Sequence, residues 1–130
     1  MEINSEHFVL NNNVENIHLF LNKMENFQQF LPDDCSDWKN DADSCEFKIK
    51  SSVSLKIRKK VISNQEIHFV TEDNPLLPAT IIFRSHALEG KTDASIQVKS
   101  NVNFLMAGMI KPILENLLQN FQKQLQAQFA

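Results

Sequence analysis

The chain has 130 residues, 42% hydrophobic and 22% charged, which fits one soluble domain spanning 1–130. Its formal net charge of −3 is uneven: residues 1–46 hold ten acids and two lysines, net −8, and residues 47–130 six acids and eleven bases, net +5. That asymmetry predicts distinct electrostatic faces rather than a nucleic-acid binder, and no apolar run reaches the ~18 residues of a membrane span.

Met1-Glu2-Ile3-Asn4-Ser5-Glu6 has neither the basic nor the apolar stretch of a secretory signal, so a cytoplasmic location is expected. Ile3–Leu10 predicts a first strand. Asn11-Asn12-Asn13 is a turn that supplies a helix cap. Val14–Asn22 predicts a helix with Val14, Ile17, His18 and Leu21 on one face. A second helical turn, Lys23–Phe30, carries Met24, Phe27 and Phe30, and Leu31-Pro32 ends it because the residue before proline avoids the α region.

From Ser36 the apolar period changes to two. Asp41–Ser44 is a turn that places Asn40 opposite Cys45 and Trp38 facing Phe47. In that register Cys35 lies at the far end of the hairpin from Cys45, beyond the ~7 Å that a disulfide spans between Cα atoms. Two reduced thiols are expected. Cys45, Phe47, Ile49, Val53, Leu55, Ile57 and Val61 then form a long apolar face on odd positions, with a tight turn or bend at Ser51-Ser52. The even positions include the basic strip Lys48, Lys50, Lys56, Arg58 and Lys60, which predicts a solvated outer face.

Ser63–Gln65 predicts a turn and Glu66–Thr71 a strand with Ile67 and Phe69 inward. Residues 72–78 form a loop carrying Leu76 and Leu77, either a lid over a cavity or a plug packed on its rim. Ala79–Leu88 is a strand in which Ile81-Ile82-Phe83 breaks the alternation, as a bulge or a doubly covered edge would. Leu88–Lys91 is a turn, and Thr92–Asn103 the last strand. Phe104–Ala130 then carries apolar residues at helical spacing, including Met106, Met109, Ile110, Ile113, Leu114, Leu117, Leu118, Phe121 and Leu125. Pro112 permits two readings: a helix kinked or divided after a leading segment Leu105–Lys111, or a helix that starts at about Lys111.

The order of elements is strand, two short helices, a run of antiparallel strands and one long C-terminal helix. Together with Val14-Glu15-Asn16-Ile17-His18-Leu19-Phe20-Leu21, Glu25-Asn26-Phe27, Leu31-Pro32, Trp38 and the Met-rich Asn103–Met109 stretch, it resembles the START and birch-pollen-allergen superfamily. This superfamily, also called SRPBCC, includes polyketide-cyclase-like proteins, and the resemblance is to a small bacterial-type member. It implies an α+β helix-grip fold, with about six or seven antiparallel strands wrapped around the last helix. It further implies a cavity between sheet and helix for an apolar molecule such as a lipid or polyketide. The glycine-rich loop of the pollen-allergen branch is missing; Asp41-Ala42-Asp43-Ser44 stands there.

The expected ligand-binding residues are Phe27, Phe30, Trp38, Phe47, Leu77, Phe83, Met106, Met109, Ile110, Ile113 and Leu117, competing with the reading that they simply fill a core. His7, His18, His68 and His86 lack metal-ligand spacing, and no nucleophile elbow or phosphate-cradling loop is present. No metal, cofactor or catalytic residue is expected. The functional expectation is a non-catalytic binder of a small apolar molecule. The alternatives are a cyclase or aromatase-like enzyme using the same cavity, and a partner-binding protein with a closed core.

Overall fold

The computed structural model describes residues 1–72, 74 and 77–130. Eight strands form one antiparallel sheet: β1 Glu2–Asn4, β2 Phe8–Leu10, β3 Cys35–Asn40, β4 Ser44–Ile49, β5 Val53–Ser63, β6 Glu66–Thr71, β7 Ala79–Leu88 and β8 Lys91–Ser100. Their order is β1-β8-β7-β6-β5-β4-β3, with β2 also paired to β8. Between β2 and β3 lie helix α1, Val14–Leu21, and a 3-10 segment, Met24–Phe30. They carry the chain from one edge of the sheet to the other. Helix α2, Phe104–Gln128, packs against the 3-10 segment, β2 and β8.

The hairpins follow from turn chemistry. Lys50 and Ser51 both take positive φ, 54° and 60°, and Ser52 N donates to Ile49 O, which makes the tight turn expected at Ser51-Ser52. Glu89 and Gly90 do the same between β7 and β8, at φ 50° and 80°. Asn40 pairs with Cys45 as expected, and Cys35 pairs with Ile49 at the other end; both thiols are free. Asp37, at φ 56°, sits in a bulge between Ser36 and Lys39. The indole of Trp38 nevertheless stacks on Phe47 at 6.3 Å between ring centroids.

Four sequence expectations change. The first strand is two short ones, because Ser5 leaves the ladder: its N–H donates to Ile96 O and its Oγ accepts from Ile96 N. Ile81-Ile82-Phe83 is neither bulge nor edge. The register runs unbroken from β7 to β6 and to β8, and Ile82 is buried between His68 and Gln97, its partners on the two neighbouring strands. Val61 is exposed, since β5 outruns β4: their pairing starts at Ser44–Arg58, and beyond it β5 pairs only with β6. Last, α2 starts at Phe104 and runs through Pro112, so the reading that the helix begins at Lys111 does not hold. Asn103 caps it, its Oδ1 accepting from Met106 N. Proline is tolerated there because Pro112 is exposed and nothing packs on Gly108, whose carbonyl lacks the usual partner.

The core lies between α2 and the inner face of the sheet, made by odd positions on β4 to β7 and even positions on β2 and β8. Phe121 stacks on Phe30 at 4.2 Å and meets Phe27 and Phe69 at 5.9 Å. Asn120 Nδ2 donates to Phe30 O, tying α2 to the 3-10 segment. Asn11 N donates to Phe129 O, fixing the far end of α2 to β2.

Candidate functional site

The residues expected to line one cavity are scattered over the fold. Phe27 and Phe30 belong to the aromatic cluster around Phe121, so the middle of the sheet–helix space is filled by rings. Phe83 is fully buried under α1, edge-on to His18 at 6.1 Å. Leu77 is buried in the core, its carbonyl accepting from Thr71 Oγ1 and its N–H donating to Asn74 Oδ1. Leu76, its companion in the expected lid, lies outside the described residues. Trp38 and Phe47 line a recess of about 550 Å³ at the flank of β3, β4 and β5.

Ile113 and Leu117 line a different recess, a cleft of about 270 Å³ between α2 and the β4–β5 turn. Pro32, Ile49 and Pro112 complete its apolar wall, and Asp34, Lys50 and Asn116 its polar part. Ile110 is buried on the same helix, Met106 is half-buried, and Met109 is 68% exposed. The cleft is built by the segment at Pro32, the stretch of α2 at Pro112 and the β4–β5 hairpin. Lys50 N donates to Asp34 O, holding the hairpin tip against the segment after Pro32. Pro32, Ile49 and Pro112 were absent from the sequence-derived set. No local signal picks them out, because they stand far apart in the chain and converge only in the fold.

The 550 Å³ recess is larger but carries Lys39, Lys48 and Lys56 against Asp37, Glu46 and Glu72. Lys48 pairs with Asp37 at 3.6 Å, Lys56 with Glu46 at 3.8 Å, and Arg58 with Glu72. The basic strip is thus largely matched by acids. An apolar ligand would gain little there, because these charges would lose water on its arrival.

The titratable groups sit elsewhere. His7 is exposed and pairs with Asp93 at 3.1 Å. His86 is exposed, and His68 is half-buried beside Glu66. None of the four histidines lines the cleft. Burial pushes the Cys35 thiol up to about 11 and the Cys45 thiol up to about 12, so both stay protonated at neutral pH and are poor nucleophiles. Among the described residues no group of three or more His, Cys, Asp or Glu side chains could hold a metal ion.

His18 is buried with its Nε2 2.9 Å from Ser85 Oγ. Burial holds its pKa below the ordinary 6.5, with Glu15 opposing the shift. The folded chain therefore binds fewer protons than the unfolded one between its lowered value and 6.5. This contribution to stability is fully present above 6.5 and is lost as the pH falls from there through the folded value. Urea midpoints measured from pH 8 to pH 5 should drop over that window, and His18→Gln should flatten the drop.

No family model matches the chain, and no curated protein matches it in sequence. Solved structures do match in shape. A START superfamily protein from Mycobacterium smegmatis superposes with a TM-score of 0.72 at 14% identity, over 98% of this chain and 96% of that one. The Zhui aromatase/cyclase from Streptomyces sp. R1128 gives 0.72 at 7% identity, over 98% and 92%. The Aha1 dimer structure from Colwellia psychrerythraea gives 0.57 at 16% identity, over 92% of each chain. The chain has the START-like helix-grip fold. At these identities the likeness concerns the fold alone. The cleft at Pro112 opens beside the last helix of this fold. Among the described residues no helix is long and apolar enough to cross a membrane.

Proposed function

We propose that the protein binds a small molecule with an apolar body and a polar end, held in the cleft between α2 and the β4–β5 turn. The observation that carries this reading is the cleft's wall: Pro32, Ile49, Pro112, Ile113 and Leu117 on the apolar side, with Asp34, Lys50 and Asn116 at hand for a polar group. Its 270 Å³ is nearly twice the ~150 Å³ apolar cavity that accommodates benzene and lies just under the ~300 Å³ lower bound of ordinary ligand pockets. The site as it stands fits a compact ligand or one end of a longer one. Affinity comes from apolar ligand area removed from water, about 25 cal/mol per Å². The polar groups set the ligand's orientation. The START superfamily protein and the aromatase/cyclase, similar in fold, lend the reading background.

Native mass spectrometry on protein purified from cell extract tests it. A bound small molecule, or a thermal shift with members of a panel of fatty acids, sterols and polycyclic aromatics, is the expected result. No retained mass and no shift across the panel would count against it.

A further inference from the structure

Two turns of the sheet place consecutive residues in the left-handed region. Between β7 and β8 these are Glu89 and Gly90, at φ 50° and 80°. Between β4 and β5 they are Lys50 and Ser51, at φ 54° and 60°. Glycine enters this region without steric cost, whereas a Cβ there crowds the carbonyl oxygen that follows it. The second position is therefore relaxed in the β7–β8 turn and strained in the β4–β5 turn. Ser51 is exposed, so no packing offsets the strain.

The strained turn stands on the cleft. Lys50 lines it, and Ile49 belongs to its apolar wall. Ile49 is 4% exposed and pairs with Cys35 on one side and Val53 on the other, so the strands beneath the tip are fixed. The tip itself is held lightly. Ser52 N donates to Ile49 O within the turn, and Lys50 N donates to Asp34 O across to the segment after Pro32, at 2.8 Å. On the facing stretch of α2 the polar bonds run elsewhere: Lys111 pairs with Glu115, and Asn120 donates to Phe30 O.

Strained backbone gathers at ligand clamps and switch segments, where release of the strain is part of the mechanism. The size of the cleft agrees with a moving wall. Its 270 Å³ lies just under the ~300 Å³ lower bound of ordinary ligand pockets. A tip that leaves Asp34 gives up its left-handed conformation and widens the cleft on the side opposite α2.

We propose that Lys50–Ser52 is a gate, hinged at Ile49 and Val53, that swings away from Asp34 to admit ligands larger than the resting cleft holds. The proposal rests on the cleft being the ligand site.

Amide hydrogen exchange of the ligand-free chain tests the gate. Lys50 and Ser52 should show protection factors at least about fivefold lower than Lys91, which closes the relaxed turn. Ser51→Gly should raise both factors about fivefold, and Ser51→Val should lower them by a similar factor. With a ligand that binds wild type, stopped-flow mixing should show slower association for Ser51→Gly and faster association for Ser51→Val. Lys50 and Ser52 protected as well as Lys91, or protection unmoved in both variants, would overturn the gate and leave the ligand reading standing. Equal association rates in all three proteins would overturn it too. Absence of any ligand would instead remove the ligand reading, with the exchange result still deciding whether the turn opens.

Discussion

Phe121→Ala should destabilise the protein by about 3–5 kcal/mol, the range for truncating a buried aromatic side chain. Phe121 is the ring on which the two sides of the fold meet. It stacks on Phe30 from the 3-10 segment, touches Phe27 beside it, and reaches Phe69 on β6. Its neighbours are themselves rings, held on two separate backbone elements, the 3-10 segment and β6, so they cannot close over the void. The cost therefore includes both lost burial and the cavity left behind. For a chain of this length the melting temperature should fall by roughly 10–20 °C. A drop of only a few degrees would mean that the aromatic cluster is loosely packed and that α2 is held mainly by its flanks.

Ile113→Trp should remove ligand binding while leaving the fold in place. Ile113 is half-buried at the edge of the core and lines the cleft, so a larger ring at this position extends into open space rather than into packed side chains. Stability should change by no more than about 1 kcal/mol. Affinity for any ligand found with wild type should fall at least tenfold, about 1.4 kcal/mol. Isothermal titration of both proteins with the same ligand checks this. Equal affinity in the variant would place the ligand away from α2.

The two predictions concern residues of one helix that the sequence presents alike. Ile113 and Phe121 both fall on the apolar stripe of Phe104–Ala130, yet one borders an opening and the other closes the core. Periodicity finds the stripe and says nothing of what stands opposite each position. The strands were legible for the same reason that the cavity was not. Alternation between buried and exposed positions is a local signal, and it located β6, β7, the β3–β4 register and the Ile67 and Phe69 core positions. Val61 and Ile82 escaped it because their exposure depends on which strands lie beside them. Met109 escaped because it stands at the edge of the stripe, next to the buried Ile110 but on the exposed side of the helix. Pro32, Ile49 and Pro112 lie far apart in the chain and meet only in the folded molecule, so their cleft had no local signature. Leu77 illustrates the reverse case. In a loop between prolines it suggests a lid, but hydrogen bonds from Thr71 and to Asn74 fold it inward.

The account rests on the cleft beside Pro112 being where a ligand binds. Amide chemical-shift mapping during titration with an apolar ligand tests this most directly. The predicted result is a cluster of perturbed amides at Ile49, Lys50, Ile113, Asn116 and Leu117, with β6 and β7 unmoved. Perturbations confined to Trp38, Lys48 and Lys56 on the outer flank, or none at saturating ligand, would contradict it.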